Sequence, residues 1–120
     1  FCQMFLHGGE MDGVRILSPA TVQAMVTDQT SAMPLIAPAI RYGHSWGLGW
    51  RRAPTIGWSY FGNLLSPGSY GHGGATGTVV WVDPLQQLVC TLFTTQPAVS
   101  SERLLGQCSN LVAAAVIESR

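Results

Sequence analysis

The chain has 120 residues, six arginines, six acidic residues, no lysine and no net charge. Hydrophobic residues make up 47% and charged ones 10%, against roughly a quarter charged in ordinary soluble domains; this excludes disorder and leaves no basic footprint for nucleic acid or an anionic membrane. One small domain of this length buries roughly two thirds of the surface its unfolded form exposes, and so neutral and dry a surface favours association, so much of it is expected to lie against something else.

In chain order, Phe1 to Leu6 reads as the last turns of a helix stopped by Gly8 and Gly9. Opening on Phe1 without a signal-peptide pattern, the chain reads as a processed product or fragment. Asp12-Gly13 is a turn, and Val14 to Leu17 an extended link. Ser18 caps a helix with Pro19 at its first position, an apolar stripe of Val22, Met25 and Val26, and an end near Asp28. Thr30 to Arg41 is loop. Trp46-Gly47-Leu48-Gly49-Trp50 reads as a strand whose glycines admit another backbone, and Ala53 to Gly68 as irregular. Thr78–Val82 and Leu88–Phe93 are strands, joined into an antiparallel hairpin by the Asp83–Gln87 turn. Ser100 or Ser101 is expected to cap the final helix, with Glu102 in its positive first turn. Leu104, Cys108, Leu111, Val112, Ala115 and Val116 form its apolar face.

Both hairpin strands are apolar on both faces, so the sheet should be covered twice. The final helix covers one face. The Pro19 helix is too slight for the other, which is expected to need partners outside this chain. No apolar run is long enough to span a bilayer as a helix.

The densest chemical signal is Tyr70-Gly71-His72-Gly73-Gly74-Ala75-Thr76-Gly77-Thr78, a glycine-rich loop entering the first clear strand. Glycines bring main-chain N–H groups close to an anion, and histidine titrates near neutrality; a purely structural loop would look the same. A Walker loop fails for want of lysine, and from Gly71 a G-x-G-x-x-G fingerprint fails at Thr76. A His-Gly-Gly oxyanion loop of an α/β-hydrolase would need a G-x-S-x-G elbow, which the chain lacks. Cys2, Cys90 and Cys108 have no C-x-x-C spacing and read as small buried hydrophobes. His7, at a helix end, reads as a cap, and His44 as loop polarity. With His72 these are too scattered for a metal site, and no metal or cofactor is expected. Trp46, Trp50, Trp58 and Tyr60 suit either an acyl pocket or core packing. Arg51-Arg52 reads as a solvated strand end.

His72-Gly73-Gly74-Ala75-Thr76-Gly77 resembles the Lys-Thr-Gly-Ala-Thr-Gly run of class C β-lactamases, with histidine for lysine and glycine for threonine. Its His-Gly-Gly form resembles that of esterases, D-aminopeptidases and amide hydrolases in the same β-lactamase-related serine hydrolase family. Gly8 to Pro19 resembles the family's linker and helix start. Trp46–Trp50 is similar to its strand before the motif, and Val82-Asp83-Pro84 to its hairpin turn. The resemblance implies an α+β, β-lactamase/transpeptidase-like fold, an antiparallel sheet with a C-terminal helix on one face. The 120 residues would be the C-terminal part of one catalytic domain, partnered by the missing N-terminal part.

The family's Ser-x-x-Lys nucleophile motif cannot exist in a chain without lysine, and its Tyr-x-Asn motif is absent too. By resemblance, His72 lines the pocket, the Ala75 N–H is an oxyanion donor, and Gly73 and Gly74 line the substrate site. The implied substrate is a small ester, amide or lactam, with ester or amide favoured because the lysine and threonine are lost. A non-catalytic binding or structural module on the same fold is the alternative.

Overall fold

The computed structural model describes residues 1–35, 37, 45–54 and 59–116. Helix α1 (Cys2–Leu6) is closed by a left-handed Gly8, with the Gly8 and Gly9 N–H groups donating to Phe5 and Met4 carbonyls. Asp12 and Gly13, both at positive φ, turn strand β1 (Glu10–Met11) into β2 (Val14–Arg15), the backbone of a tight hairpin turn. Helix α2 (Pro19–Val26) starts as its sequence predicts, the Ser18 hydroxyl accepting from the Thr21 N–H at 3.0 Å.

A four-stranded antiparallel sheet follows in the order β3 (Arg51–Arg52), β4 (Tyr70–Gly74), β5 (Thr78–Asp83), β6 (Leu88–Phe93). Successive side chains of a strand point to opposite faces, and β5 divides its apolar residues accordingly. Val80 and Val82 join Met4, Phe5, Val22, Trp50 and Tyr70 on one face. Val79 and Trp81 meet Phe61, Cys90 and Leu105 on the other, under helix α3 (Ala98–Ala114). Trp81 is fully buried, and its indole N–H donates to the Ser109 hydroxyl, which donates in turn to the Tyr60 carbonyl. Asp83 is buried at the end of β5; its carboxylate accepts from the main-chain N–H groups of Ser66, Leu85 and Gln86, closing the hairpin turn and holding the preceding loop.

The sheet's second face is partly covered from within the chain, correcting the expectation that it would wholly need outside partners. Helix α1 delivers Met4 and Phe5 and α2 delivers Val22; the face stays open toward Phe93, which is 81% exposed. A five-residue helix suffices because Phe5 meets Trp50 edge to face, and Trp50 meets Tyr70 likewise.

Trp46–Trp50 is not the expected strand. The Gly47 N–H donates to the Trp50 carbonyl at 2.7 Å and Gly49 has φ +81°, folding the segment into a turn that leaves only Arg51 and Arg52 in the sheet. Its glycine still serves a close approach, since a Cβ on Gly47 would run into the Met25 carbonyl.

Helix α3 begins at Ala98 after Pro97, so the expected serine cap is wrong. The Ser101 hydroxyl donates back to the Gln96 and Pro97 carbonyls, and Glu102 falls in the second turn. Its buried stripe is Ser101, Leu105, Gly106 and Ser109, while Leu104 and Leu111 are exposed. Small residues let the helix approach Gly62, where an added Cβ would meet Asn110 and the Gly106 carbonyl. Of the cysteines, Cys90 is buried and Cys2 and Cys108 half-buried, all as free thiols. Among the described residues no helix is long and apolar enough to cross a membrane.

Ser109→Ala leaves the buried Trp81 N–H without its acceptor and is expected to cost about 1–3 kcal/mol. Leu85→Ala, at an exposed turn position, should stay within about 0.5 kcal/mol; denaturant unfolding of both variants compares them.

Candidate active site

The residues singled out by sequence lie together, but on two faces of one strand. His72, Gly73 and Gly74 end β4, and Ala75 opens the turn to β5. The glycine run is thus itself a strand rather than a loop before one. It can be one because its glycines receive rings: a Cβ on Gly71 would meet the Phe61 ring and the Val80 carbonyl, and one on Gly73 would stand 2.8 Å from the Tyr60 ring.

His72 is exposed on the α1 face. Its Nδ1 lies 2.9 Å from the Gly73 carbonyl; a carbonyl oxygen only accepts, so Nδ1 is the donor in this contact. The Trp46 ring meets the imidazole edge to face at 5.4 Å. Around it are two shallow hollows of about 290 and 320 Å³, the first walled by Phe1, Met25, Leu48 and Trp50, the second by Cys2, Thr91 and Phe93.

Gly73, Gly74 and Ala75 line a cleft of about 300 Å³ on the α3 face, with Tyr60, Leu105 and Glu102 among its walls. The turn carrying Ala75 is tightly held. The Gly77 N–H donates to the Gly74 carbonyl and the Ala98 N–H to the Ala75 carbonyl, both at 3.0 Å. Gly77 has φ +84°, and a Cβ there would strike the Gln96 carbonyl. Ala75 itself is exposed, and among the described residues its N–H has no acceptor. Strand β3 pairs with β4 only as far as Gly71. The Ala53 N–H donates to the Ser69 carbonyl, and antiparallel alternation then aims the main-chain groups of Gly71 and Gly73 at that same edge. Beyond Gly71 no described strand pairs with it.

Arg51 is not the solvated strand end expected of it. Half-buried, it donates to the Tyr60 hydroxyl at 2.8 Å with its guanidinium 5.2 Å from the centre of that ring, so it holds the aromatic against Gly73. Trp50 is core and Tyr60 lines the cleft; Trp58 and His44 lie outside the described residues. His7 is the exposed C-cap of α1, its main-chain N–H donating to the Gln3 carbonyl. Burial, followed by the neighbouring Cys2, pushes the Tyr70 hydroxyl up to about 12, and burial, followed by Cys108, raises the Cys90 thiol.

Asp28, read only as a helix boundary, builds the frame behind His72. Its carboxylate accepts from the Thr30 and Ser31 N–H groups at 2.8 and 3.0 Å. The Thr30 hydroxyl accepts from the Trp46 N–H, and the Gln29 N–H donates to the Trp46 carbonyl. Desolvation alone would raise its pKa, but hydrogen bonds from Ser31, Thr30 and Ser45 together hold it well below the usual carboxylate range. An aspartate followed by Thr and Ser is the available sequence signal, since short polar side chains bond the backbone two or three residues on.

Residues 4–107 match the family model described as Beta-lactamase. A protein of Escherichia coli O157:H7 provisionally named a D-alanyl-D-alanine carboxypeptidase is 32% identical over 101 residues, which are 79% of this chain and 20% of that protein. Its counterpart in Escherichia coli strain K12 is 31% identical over the same shares. Among solved structures, a penicillin-binding protein homologue from Caulobacter crescentus has a TM-score of 0.58 at 26% identity, covering 79% of this chain and 24% of that one. A structure titled as a β-lactamase from Bacteroides dorei has a TM-score of 0.54 at 17% identity, covering 95% of this chain and 38% of that one, a likeness of fold. The chain spans about a fifth of the length of the curated relatives it matches.

A carboxylate with a depressed folded pKa stabilises fully above its unfolded value, near 4, and loses that contribution as pH falls from there toward the folded value. Asp28→Asn is therefore expected to lower stability at pH 7 and to flatten its decline between about pH 4 and pH 2, measured by thermal unfolding across that range.

Proposed function

Since this chain belongs to the Beta-lactamase family, we propose that its β4 edge and β4–β5 turn form one wall of the active site of a serine hydrolase that cleaves ester or amide bonds through an acyl-enzyme. In this reading the 120 residues are part of a single catalytic domain. The nucleophilic serine comes from sequence outside them, because no lysine is present to complete a Ser-x-x-Lys motif. The observation that carries the reading is the N–H of the exposed residue Ala75, in an anchored turn that lines a cleft, with no acceptor among the described residues.

The serine oxygen attacks the carbonyl carbon, and the carbonyl π electrons move onto oxygen. That oxyanion is received by the Ala75 N–H together with a second donor. Collapse expels the alcohol or amine, which takes up a proton, and water then cleaves the acyl-enzyme. A donor already aimed at the developing charge costs no reorganisation during reaction. His72, with Nδ1 donating to the Gly73 carbonyl, stands on the other side of the same strand, where in its neutral form Nε2 is an acceptor for a proton. Gly73 and Gly74 keep the strand bare so that substrate can approach the backbone. The amide arm accords with the name of the Escherichia coli relatives. Replacement of the Lys-Thr pair by His-Gly disfavours recognition of a lactam carboxylate.

The test uses the full-length protein with 4-nitrophenyl butyrate and a chromogenic cephalosporin. Ala75 is the second residue of a β-turn, a position that accommodates proline, so Ala75→Pro removes one N–H with the turn retained. It is expected to lower kcat about 10²- to 10³-fold with an unchanged melting temperature. His72→Ala, at an exposed position, should lower turnover about tenfold or more, in keeping with loss of a proton-transfer group. Wild-type kinetics in both variants would leave the non-catalytic module as the reading of this chain.

A further inference from the structure

Glu102 was expected to serve the positive first turn of the final helix, and the structure relieves it of that duty. Helix α3 starts at Ala98 and has no acidic residue in its first turn. Glu102 sits one turn further on, exposed, and among the described residues its carboxylate has no hydrogen-bond or ion-pair partner, the one ion pair found there joining Arg15 to Glu10. It instead lines the cleft that runs from Gly73 and Ala75 along the start of α3. The other side chains there are apolar or uncharged, with Leu105, Ala98 and Val99 on the helix side and Tyr60 and Thr78 on the sheet side.

Among the described residues no arginine lines the cleft. Arg51 lies behind Tyr60, bound to its hydroxyl. Arg103 lines a separate groove on the outer side of α3 with Ser100 and Gln107, a groove that Glu102 also borders. Among the described residues Glu102 is therefore the only formally charged side chain lining this largely apolar cleft of about 300 Å³. An apolar channel with one carboxylate suits a group that is hydrocarbon along its length and cationic at its tip.

Resting on the hydrolase reading above, we propose that Glu102 is a specificity-determining residue, and that the cleft takes the part of the ester or amide substrate that ends in an ammonium group. An exposed ion pair contributes about 0.2–1 kcal/mol, which converts to a preference of up to about fivefold in kcat/KM for a cationic substrate over its uncharged isostere. The preference should shrink as salt screens the pair.

The experiment measures kcat/KM of the full-length protein on two isosteric pairs. The first carries the charge on the acyl side: 4-nitrophenyl 6-(trimethylammonio)hexanoate against 4-nitrophenyl 7,7-dimethyloctanoate. The second carries it on the leaving group: butyrylthiocholine against S-(3,3-dimethylbutyl) thiobutyrate. The expected result is a preference for the cation of about three- to fivefold in one pair, reduced by 0.5 M salt and brought to unity by Glu102→Gln. Equal rates within both pairs, or a preference that survives Glu102→Gln, overturn the assignment of Glu102 while the hydrolase reading stands. Absence of turnover on all four compounds overturns the hydrolase reading and this inference with it.

Discussion

The structure depends on two missing side chains. At Gly71 and Gly73 the inner face of β4 presents bare backbone, and the Phe61 and Tyr60 rings occupy the space a Cβ would take. Every other feature of the site's wall follows. Phe61 closes the core beneath α3 with Trp81 and Leu105. Tyr60 lies against the strand, is held from outside by Arg51, and becomes a wall of the cleft. Bulk at either glycine would push the rings away or bend the strand that carries His72 and Ala75, since packed interiors transmit small displacements.

The two faces of β4 have different work. On the α1 face a line of aromatic contacts from Phe5 through Trp50 to Tyr70 packs the near end of the strand, and His72 emerges just past it against Trp46. On the α3 face the glycines leave a cleft, and the β4–β5 turn is tied down by the loop before α3 through Gly77 and Ala75. The same turn therefore has a fixed position, a main-chain donor and access from solvent. On the proposed reading, those are what a preorganised oxyanion site would use.

Polar side chains replace regular structure where the chain runs irregularly. Asp28 gathers the residues after α2 and carries Trp46 to the imidazole. Asp83 does the same at the other end of the sheet, joining the β5–β6 turn to Ser66. Ser109 couples Trp81 to the Tyr60 main chain across helix and sheet. A buried donor or acceptor left unpaired costs more than a paired one contributes, so these three residues constrain loops that no hydrophobic period could place.

By itself the sequence determined what local chemistry decides. The Ser18-Pro19 helix start, the Asp12-Gly13 turn and the β5–β6 hairpin were all legible, because caps, turns and alternation act within a few residues. So was the family, since the His72–Gly77 motif and its surroundings stand in order along the chain and the match over residues 4–107 agrees. Only the tertiary structure decided that the glycine run is a strand, that α3 turns Leu105 and Ser109 inward and leaves Leu111 outside, that α1 and α2 cover part of the second face, and that Glu102 borders a cleft. Each depends on a neighbour distant in sequence: a ring filling the place of a Cβ, or a glycine admitting a helix. Such contacts override local propensity and leave no period from which to read them.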